Sequence, residues 1–575
     1  MARDVEVEVR DIGEALVAAM VHGGVEHLFF SSGTELGFYQ EAIAKARALG
    51  RPAPRLITMT HEYACLNAAL GYTAVSGRPA VTAAHVDVGT QHHGAALHTA
   101  WRSGLPVLMT AGAPATSSPG SMRGARDAPH FWIQQTFDQN GIVRQFTKWD
   151  HRLEWQDNPG LIVSRALQVA QTEPCGPVYL SLPREIVYRG LEKTRFPTVA
   201  QLGIPRPAAP DPGAVEEIAE RLLGARDPMV VAGCGRNPAD VPALVELCEL
   251  LGLPVVQCAW HGYQSFPMNH RLFQGKRSVA DADVVLVVEA DVPWVPGPNG
   301  PGPDTYVAVI GVDPAKHRIP TYEFTADLRL TSDPLSALRA ITAAVRARIS
   351  PADPARFEAR ARRWGEAAAA RAHGLAQEAL RSAHEQPVNP RWLAYQLAQT
   401  VDENSIVIDD TTHDRLFPYL KVARPGSYFH NPGSAGGWAP GAALGAKLAA
   451  PDRDVIAVTG DGFYMYGAAT AALWAAGRYH APFMTVVFQN RSYTTGTVAV
   501  ANSYPDGYAA KSDFDGGYLE PAMDFAKEAE AAGAYGENVR DPQEVGPALR
   551  RGLAQTRAGK PAVIAVWLPR LLHKD

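Results

Sequence analysis

Apolar runs of strand length recur along the chain between segments of helix length. Early examples are His27-Leu-Phe-Phe30, Ala80-Val-Thr-Ala-Ala84, Pro106-Val-Leu-Met-Thr110 and Pro177-Val-Tyr-Leu-Ser-Leu182. The runs are continuously apolar, and the segments between them are long enough for crossover helices. That pattern predicts an α/β fold with largely parallel sheets covered by helices on both faces. Two stretches interrupt it. Phe196 to Gly213 holds five prolines and little periodicity. Ser350 to Pro390 opens on Ser350-Pro351 and closes on Val388-Asn389-Pro390; its interior, Ala355 to Ala383, is rich in Ala, Arg and Glu and reads as a helix. Taken as linkers, they divide the 575 residues into three domains, 1–190, 205–348 and 390–575, each with its own sheet.

The middle segment has strands of its own at Pro228-Met-Val-Val-Ala232, Pro254-Val-Val-Gln257, Val284-Val-Leu-Val-Val288 and Tyr306-Val-Ala-Val-Ile310. Gly233-Cys234-Gly235 follows the first of these, as a dinucleotide loop would. No third glycine completes the Gly-x-Gly-x-x-Gly spacing, and a plain turn is the simpler reading.

Candidate chemistry lies at strand ends. In the third segment Val455-Ile-Ala-Val-Thr459 runs into Gly460-Asp461-Gly462. Phe483-Met-Thr-Val-Val-Phe488 ends in Gln489-Asn490, and Asn490 stands twenty-nine positions beyond Asp461. A helix from about Tyr466 to Gly477 fits between them. That is a βαβ unit, whose ligands gather at the carboxyl ends of its strands. One strand end offers a carboxylate and the next an amide oxygen. These are hard donors of the kind Mg²⁺ accepts while taking the rest from phosphates. The glycines let backbone N–H groups approach an anion. Gly-Asp-Gly alone reads as a tight turn; the second strand ending in Asn points to a metal-diphosphate site.

In the first segment, His61-Glu62-Tyr63-Ala64-Cys65 follows the run Leu56-Ile-Thr-Met59 and precedes a helical stretch, Leu66 to Val75. Glu62 therefore sits at a strand-to-helix junction, where a glutamate also serves simply to stabilise the helix start. His85 ends another strand-like run and opens the loop Val86-Asp-Val-Gly89-Thr90-Gln91-His92-His93-Gly94. A histidine there suits proton transfer. His92 and His93 are adjacent, so their side chains diverge, and no Cys or carboxylate stands at zinc-ligand spacing.

Charge and composition add exclusions. The formal net charge is -5, and no basic cluster carries interleaved aromatics, which argues against a nucleic-acid partner. No apolar run reaches the roughly 18 uncharged residues of a membrane span. The charged amino terminus, Met1 to Arg10, has no apolar core, so no secretory signal is expected. Cys65, Cys175, Cys234, Cys248 and Cys258 are scattered and form no Cys-x-x-Cys, as expected of buried thiols in a reducing cytoplasm.

Together these residues resemble the thiamine-diphosphate-dependent enzymes of the decarboxylase and acetolactate-synthase type, over nearly the whole chain. The resemblance implies the thiamine-diphosphate-binding fold: a pyrimidine-binding, a central and a diphosphate-binding domain. It implies Mg²⁺ held by Asp461, Asn490 and the backbone carbonyl of Ser492, and thiamine diphosphate bound against Gly460, Asp461, Gly462, Phe463, Asn490, Ser492 and Tyr493. Glu62 falls where the family carries its activating glutamate, a hydrogen-bond partner of the aminopyrimidine ring.

Within the family the first domain is most similar to benzoylformate decarboxylase. His85, followed by Gly89-Thr90, matches its active-site histidine, and Thr34 falls at its substrate-contacting serine. Gln135 matches a glutamine that acetolactate synthases place near the reaction centre. In the metal motif Gln489-Asn490 stands for the usual Asn-Asn. Gly436 stands where a large apolar residue usually supports the bent cofactor, with Trp438 or Tyr464 as the available substitutes.

The implied function is non-oxidative decarboxylation of a 2-keto acid. The alternatives are carboligation of acetolactate or benzoin type and cleavage of a 2-hydroxyacyl thioester. The implied assembly is a homodimer or homotetramer with active sites at the subunit interface, acting on a small carbonyl substrate. A flavin or nicotinamide oxidoreductase is disfavoured by the incomplete loop at Gly233. A silent paralogue is disfavoured by the presence of Glu62, Asp461 and Asn490.

Overall fold

The computed structural model describes residues 4–570 except 261, 413 and 414. Its first part holds β1 (Asp4–Glu8), β2 (His27–Phe30), β3 (Arg55–Thr58), β4 (Ala80–Ala84), β5 (Val107–Ala113), β6 (Asp150–Arg152), β7 (Val178–Pro183) and β8 (Lys193–Pro197). Strands β2 to β7 form a parallel six-stranded sheet in the order β3-β2-β4-β5-β7-β6; β1 and β8 pair as a separate antiparallel ribbon. The middle part is a parallel five-stranded sheet of β9 (Met229–Ala232), β10 (Val255–Gln257), β11 (Val284–Val288), β12 (Tyr306–Gly311) and β13 (Leu328–Thr331), in the order β10-β9-β11-β12-β13. The last part holds β14 (Ser405–Asp410), β15 (Tyr428–His430), β16 (Asp454–Gly460), β17 (Met484–Gln489), β18 (Tyr535–Val539) and β19 (Ala562–Trp567), again parallel, in the order β15-β14-β16-β17-β19-β18. The predicted α/β class, with helices flanking three largely parallel sheets, is the observed one.

Counting strands within each sheet, the two six-stranded sheets share one order, 2-1-3-4-6-5. In doubly wound sheets a crevice opens at the carboxyl ends of the strands where the order reverses. Those reversals fall between β2 and β4, between β9 and β11, and between β14 and β16. The apolar character of the runs follows from this placement. Every residue of β4, β5, β7, β11, β14 and β17 is buried, as strands covered on both faces must be.

Seven helices bear on function. They are α1 (Glu62–Ser76), α2 (Val86–His92), α3 (Asp353–Arg381), α4 (Trp438–Ala449), α5 (Asp461–Tyr466), α6 (Ala469–Arg478) and α7 (Thr494–Ser503). Helix α3 is the Ala/Arg/Glu-rich stretch of the second linker. Helices α1 and α4 cross at backbone contact. A Cβ on Gly445 would run into the carbonyl oxygen of Ala68, and one on Gly441 would lie 2.9 Å from that of Ala64. Residues 63–73 of α1 are all buried, so this helix is enclosed on every side. One hydrophobic cluster runs through α1 and α4 from the first sheet to the last.

Two local expectations change. The helix expected from about Tyr466 to Gly477 is α6, but a second short helix, α5, precedes it, the two parted at Gly467-Ala468 with Ala468 at φ 48°. The break lets the turn lie against Gly437, where a Cβ would be 2.6 Å from the Cα of Gly467. The loop expected after His85 contains the short helix α2. Among the described residues no helix is long and apolar enough to cross a membrane, and all five cysteines are free and buried.

Candidate active site

The crevice of the last sheet is built by the ends of β14, β16 and β17. Asp461 starts α5 directly after β16. One carboxylate oxygen accepts the Gly462 backbone N–H at 2.9 Å and the other accepts that of Arg491. Arg491 follows Asn490 at φ 54°, a left-handed conformation that a non-glycine residue adopts only when its surroundings enforce it. Here the guanidinium lies 3.9 Å over the Trp567 ring and donates to the carbonyl of Leu568. The turn so fixed points Asn490 into the crevice. Its Nδ2 donates to Thr494 Oγ1 at 2.8 Å, and its Oδ1 accepts the Ser492 N–H at 3.0 Å.

Asp461, Asn490, Ser492 and Tyr493 thus line one cavity of about 120 Å³, together with Gly460, Gly462 and Phe463. Burial pushes the Asp461 carboxyl up to about 6 against the pull of its two backbone hydrogen bonds. The donor set is a carboxylate, an amide oxygen and nearby carbonyls, which fits a hard divalent cation. Among the described residues no group of three or more His, Cys, Asp or Glu could hold a metal, so a zinc-type cage is not formed.

The same cavity contains residues that sequence reading missed: Asp410, which ends β14, and Thr411, Thr412 and Arg415, which follow it. Asp410 is buried, and burial raises its carboxyl to about 7. It accepts from Asn431 Nδ2 at 2.8 Å and from the N–H groups of Gly437 at 2.8 Å and Ala439 at 3.3 Å, and so anchors the start of α4. Gly436 lies in this turn, and a Cβ there would collide with the Phe463 ring. The space of the missing side chain is taken by Phe463, not by Trp438 or Tyr464, which are buried.

The crevice of the first sheet gathers the other candidates. Glu35, just past β2, is fully buried. Its Oε2 lies 2.7 Å from His85 Nδ1 and its Oε1 accepts the Thr34 hydroxyl at 2.6 Å. Gly33 and Gly112 make room for this pair. A Cβ at Gly33 would stand 2.5 Å from His85 Nδ1, and one at Gly112 would stand 2.6 Å from the Glu35 Cβ. Val86, next to His85, is fully buried at φ 35°, a strained backbone for a β-branched residue. The hydrogen bond to Glu35 raises the His85 pKa above 6.5, against desolvation, and the charge of Glu62 adds to the rise. Burial opposes the charge of Glu35, but His85 and Thr34 outweigh it and hold its carboxyl below 4.5.

His85 Nε2 faces Gln134 Nε2 at 3.1 Å. Gln135, the expected contact, turns away to Arg126 and lines a separate cavity. Adjacent side chains point apart, which the sequence match at Gln135 could not resolve. Glu62 is the first residue of α1, and its Oε2 meets His92 Nδ1 at 2.6 Å. His92 and His93 diverge as expected: His93 is fully buried, and burial lowers its pKa to about 4. Tyr63 donates to the carbonyl of Gly436 at 2.6 Å, tying the start of α1 to the turn beside Phe463. Among the described residues no hydrogen bond or ion pair joins Glu62 to Asp461.

Residues 10–142 match the family described as thiamine pyrophosphate enzyme, N-terminal TPP binding domain, and residues 411–566 match its C-terminal TPP binding domain. The chain belongs to the thiamine pyrophosphate enzymes. The two matched segments contain both crevices. Among curated thiamine pyrophosphate enzymes, benzoylformate decarboxylase of Pseudomonas aeruginosa is 28% identical over 89% of this chain and 91% of its own. Sulfoacetaldehyde acetyltransferase of Castellaniella defragrans is 27% identical over 100% of this chain and 96% of its own. The fold is also that of a solved benzoylformate decarboxylase from Polynucleobacter necessarius, with TM-score 0.77 at 18% identity, covering 99% of this chain and 100% of that one.

Proposed function

We propose that this enzyme releases carbon dioxide from a 2-keto acid without oxidation, using thiamine diphosphate and Mg²⁺. The observation that carries the reading is the pair of buried Glu35 and half-buried His85, open to Thr34 and Gln134, at the switch point of the first sheet. It is an acid–base group whose imidazole pKa is raised by its carboxylate partner and which is held in one orientation. The match to benzoylformate decarboxylase supports it.

Thiamine diphosphate, when bound, supplies the nucleophilic carbon and the sink for the electrons of the broken bond. The chain's residues supply the rest. Asp461, Asn490 and the carbonyl of Ser492 hold the metal. Gly460 and Gly462 let backbone approach the anion, and Tyr493 borders the opening. Phe463 supports the ring in place of a side chain at Gly436. Glu62 holds the pyrimidine nitrogen by a charged hydrogen bond in a dry setting. His85, charged through Glu35, gives a proton to the substrate oxygen and recovers it, while Thr34 and Gln134 orient the carboxylate and keto group. Gln135 serves as a support for Arg126.

The chain divides into a pyrimidine domain at 1–190, a central domain at 205–348 and a diphosphate domain at 390–575. Each active site forms across a homodimer, with tetramers built from dimers. The apolar groups Ile133, Phe137, Tyr466 and Tyr508 are 83%, 113%, 67% and 87% exposed in the single chain, which supports burial against a second copy. Five free, buried thiols support a cytoplasmic setting.

A second reading is acyl transfer or carboligation, favoured by the match of the whole chain to sulfoacetaldehyde acetyltransferase. A panel of 2-keto acids, aldehydes and hydroxyacyl thioesters, followed both as carbon dioxide and as coupled product, separates the two. Carbon dioxide release from a 2-keto acid with no acceptor present is the expected result; product only with an acceptor would replace decarboxylation by ligation. Glu62→Gln should lower turnover roughly 10²–10⁴-fold while cofactor stays bound.

A further inference from the structure

Charged side chains line several cavities, and in two of them most of the cations are paired. One, about 400 Å³, opens at the switch point of the middle sheet. There Arg236 pairs with Glu173, Lys316 with Asp291, and Arg318 donates to the carbonyls of Pro174 and Cys175. In the cavity beside Gln135, Arg144 pairs with Asp138 and Asp150.

The crevice of the last sheet differs. Arg415 lines it, and among the described residues no hydrogen bond or ion pair engages its guanidinium. A partly buried cation without a partner is costly unless an anion completes it. Asp461 is not that anion. Its charge is felt by Arg415 against the desolvation that lowers the Arg415 pKa, but among the described residues no hydrogen bond or ion pair joins the two. Other groups lining this side of the cavity suit an anion too: the hydroxyl of Thr412, and the start of α7 at Thr494 and Thr495.

We propose that Arg415 binds the diphosphate of the cofactor, so that this chain grips the anion with a fixed cation of its own beside the metal. The proposal rests on the reading that this crevice takes thiamine diphosphate with Mg²⁺. A divalent cation already offset in part by Asp461 leaves a diphosphate under-neutralised. A planar guanidinium supplies the remaining charge and meets two phosphate oxygens at once. Cofactor retention in this enzyme then depends only in part on the metal.

Calorimetry on the full-length protein tests this with thiamine diphosphate, inorganic pyrophosphate and unphosphorylated thiamine, each with Mg²⁺ and with chelator. Arg415→Met should weaken both diphosphate ligands roughly ten- to a hundredfold and leave thiamine unchanged. The loss should persist in chelator, and Arg415→Lys should recover part of it. Because the unliganded site holds an uncompensated charge, the unliganded Met variant should unfold at the wild-type temperature or above.

Equal diphosphate affinity in the Met variant overturns the proposal. So does equal weakening of thiamine together with a lowered unfolding temperature, which would mark a structural arginine. Inorganic phosphate binding to cofactor-loaded wild type, abolished by Arg415→Met, would overturn it in favour of a phosphate co-substrate. Wild type that binds pyrophosphate through Arg415 but not thiamine diphosphate would instead fail the cofactor reading.

Discussion

Glu35 shows what one residue adds to a site that is otherwise readable. It stands beside Thr34 in the sequence, yet its partner His85 is fifty positions away. Only the adjacency of β2 and β4 brings them together, with two glycines clearing the space. The pair's electrostatics have a definite sign. His85 is raised above its ordinary 6.5, so its contribution to stability is complete below that value and fades as pH rises through the raised one. Glu35 is lowered below its ordinary 4.5, so its contribution is complete above 4.5 and fades as pH falls through the lowered value. The pair therefore stabilises the fold fully between 4.5 and 6.5. Glu35→Gln should move the His85 imidazole titration, followed by NMR, to lower pH. Its destabilisation, measured by denaturant unfolding, should be greatest inside that window. An unmoved titration would show that Glu35 does not govern His85. His85→Ala should lower turnover roughly 10²–10⁴-fold, with thiamine diphosphate affinity retained.

The same residue scale shows why Arg415 and His92 escaped the sequence. Neither belongs to a motif with a spacing rule. Each matters through what a distant strand or helix brings beside it. Asp461 and Asn490 were legible because they terminate two consecutive strands of one βαβ unit, where chain order and spatial order agree.

Elements were more legible than sites. Buried strands are continuously apolar because both faces are covered, and every such run in the chain named above is a strand. Short helices were not, since α2 carries Gly89 and a strained Val86 and its form is imposed by packing against β5 and α1. The α1–α4 crossing is also hidden, because Ala and Gly at four-residue spacing look like ordinary helix filler. It makes a firm prediction nonetheless. Gly445→Ala places a methyl where the Ala68 carbonyl lies, so the helices must separate. Overpacking of this kind costs about 1–3 kcal/mol, read as a lower unfolding midpoint. The movement should also pull Tyr63 from Gly436 and weaken cofactor binding. Ala at Gly477, with nothing within 4 Å of its Cβ, is the control and should not destabilise.

At the scale of the whole molecule, the repeated strand order of the first and last sheets leaves a question of partnership. Each sheet has a crevice at its switch point, one carrying Glu62 and His85, the other Asp461 and Asn490, and within one chain no direct bond links Glu62 to Asp461 among the described residues. The proposed dimer resolves this by facing the first crevice of one copy to the last crevice of the other. Two inactive variants then test the geometry. Glu62→Gln lacks the first half of every site, and Asp461→Ala lacks the second. If sites form across the interface, a mixed dimer has one site with both lesions and one with neither. Equal mixing after dissociation and reassociation should restore about a quarter of wild-type activity, since half the dimers are mixed and each carries one intact site of two. If instead each site forms within a single chain, every site in the mixture retains one lesion, and activity stays at the level of the separate variants. The readout needs no knowledge of oligomer size beyond the dimer, because a tetramer built from such dimers obeys the same count.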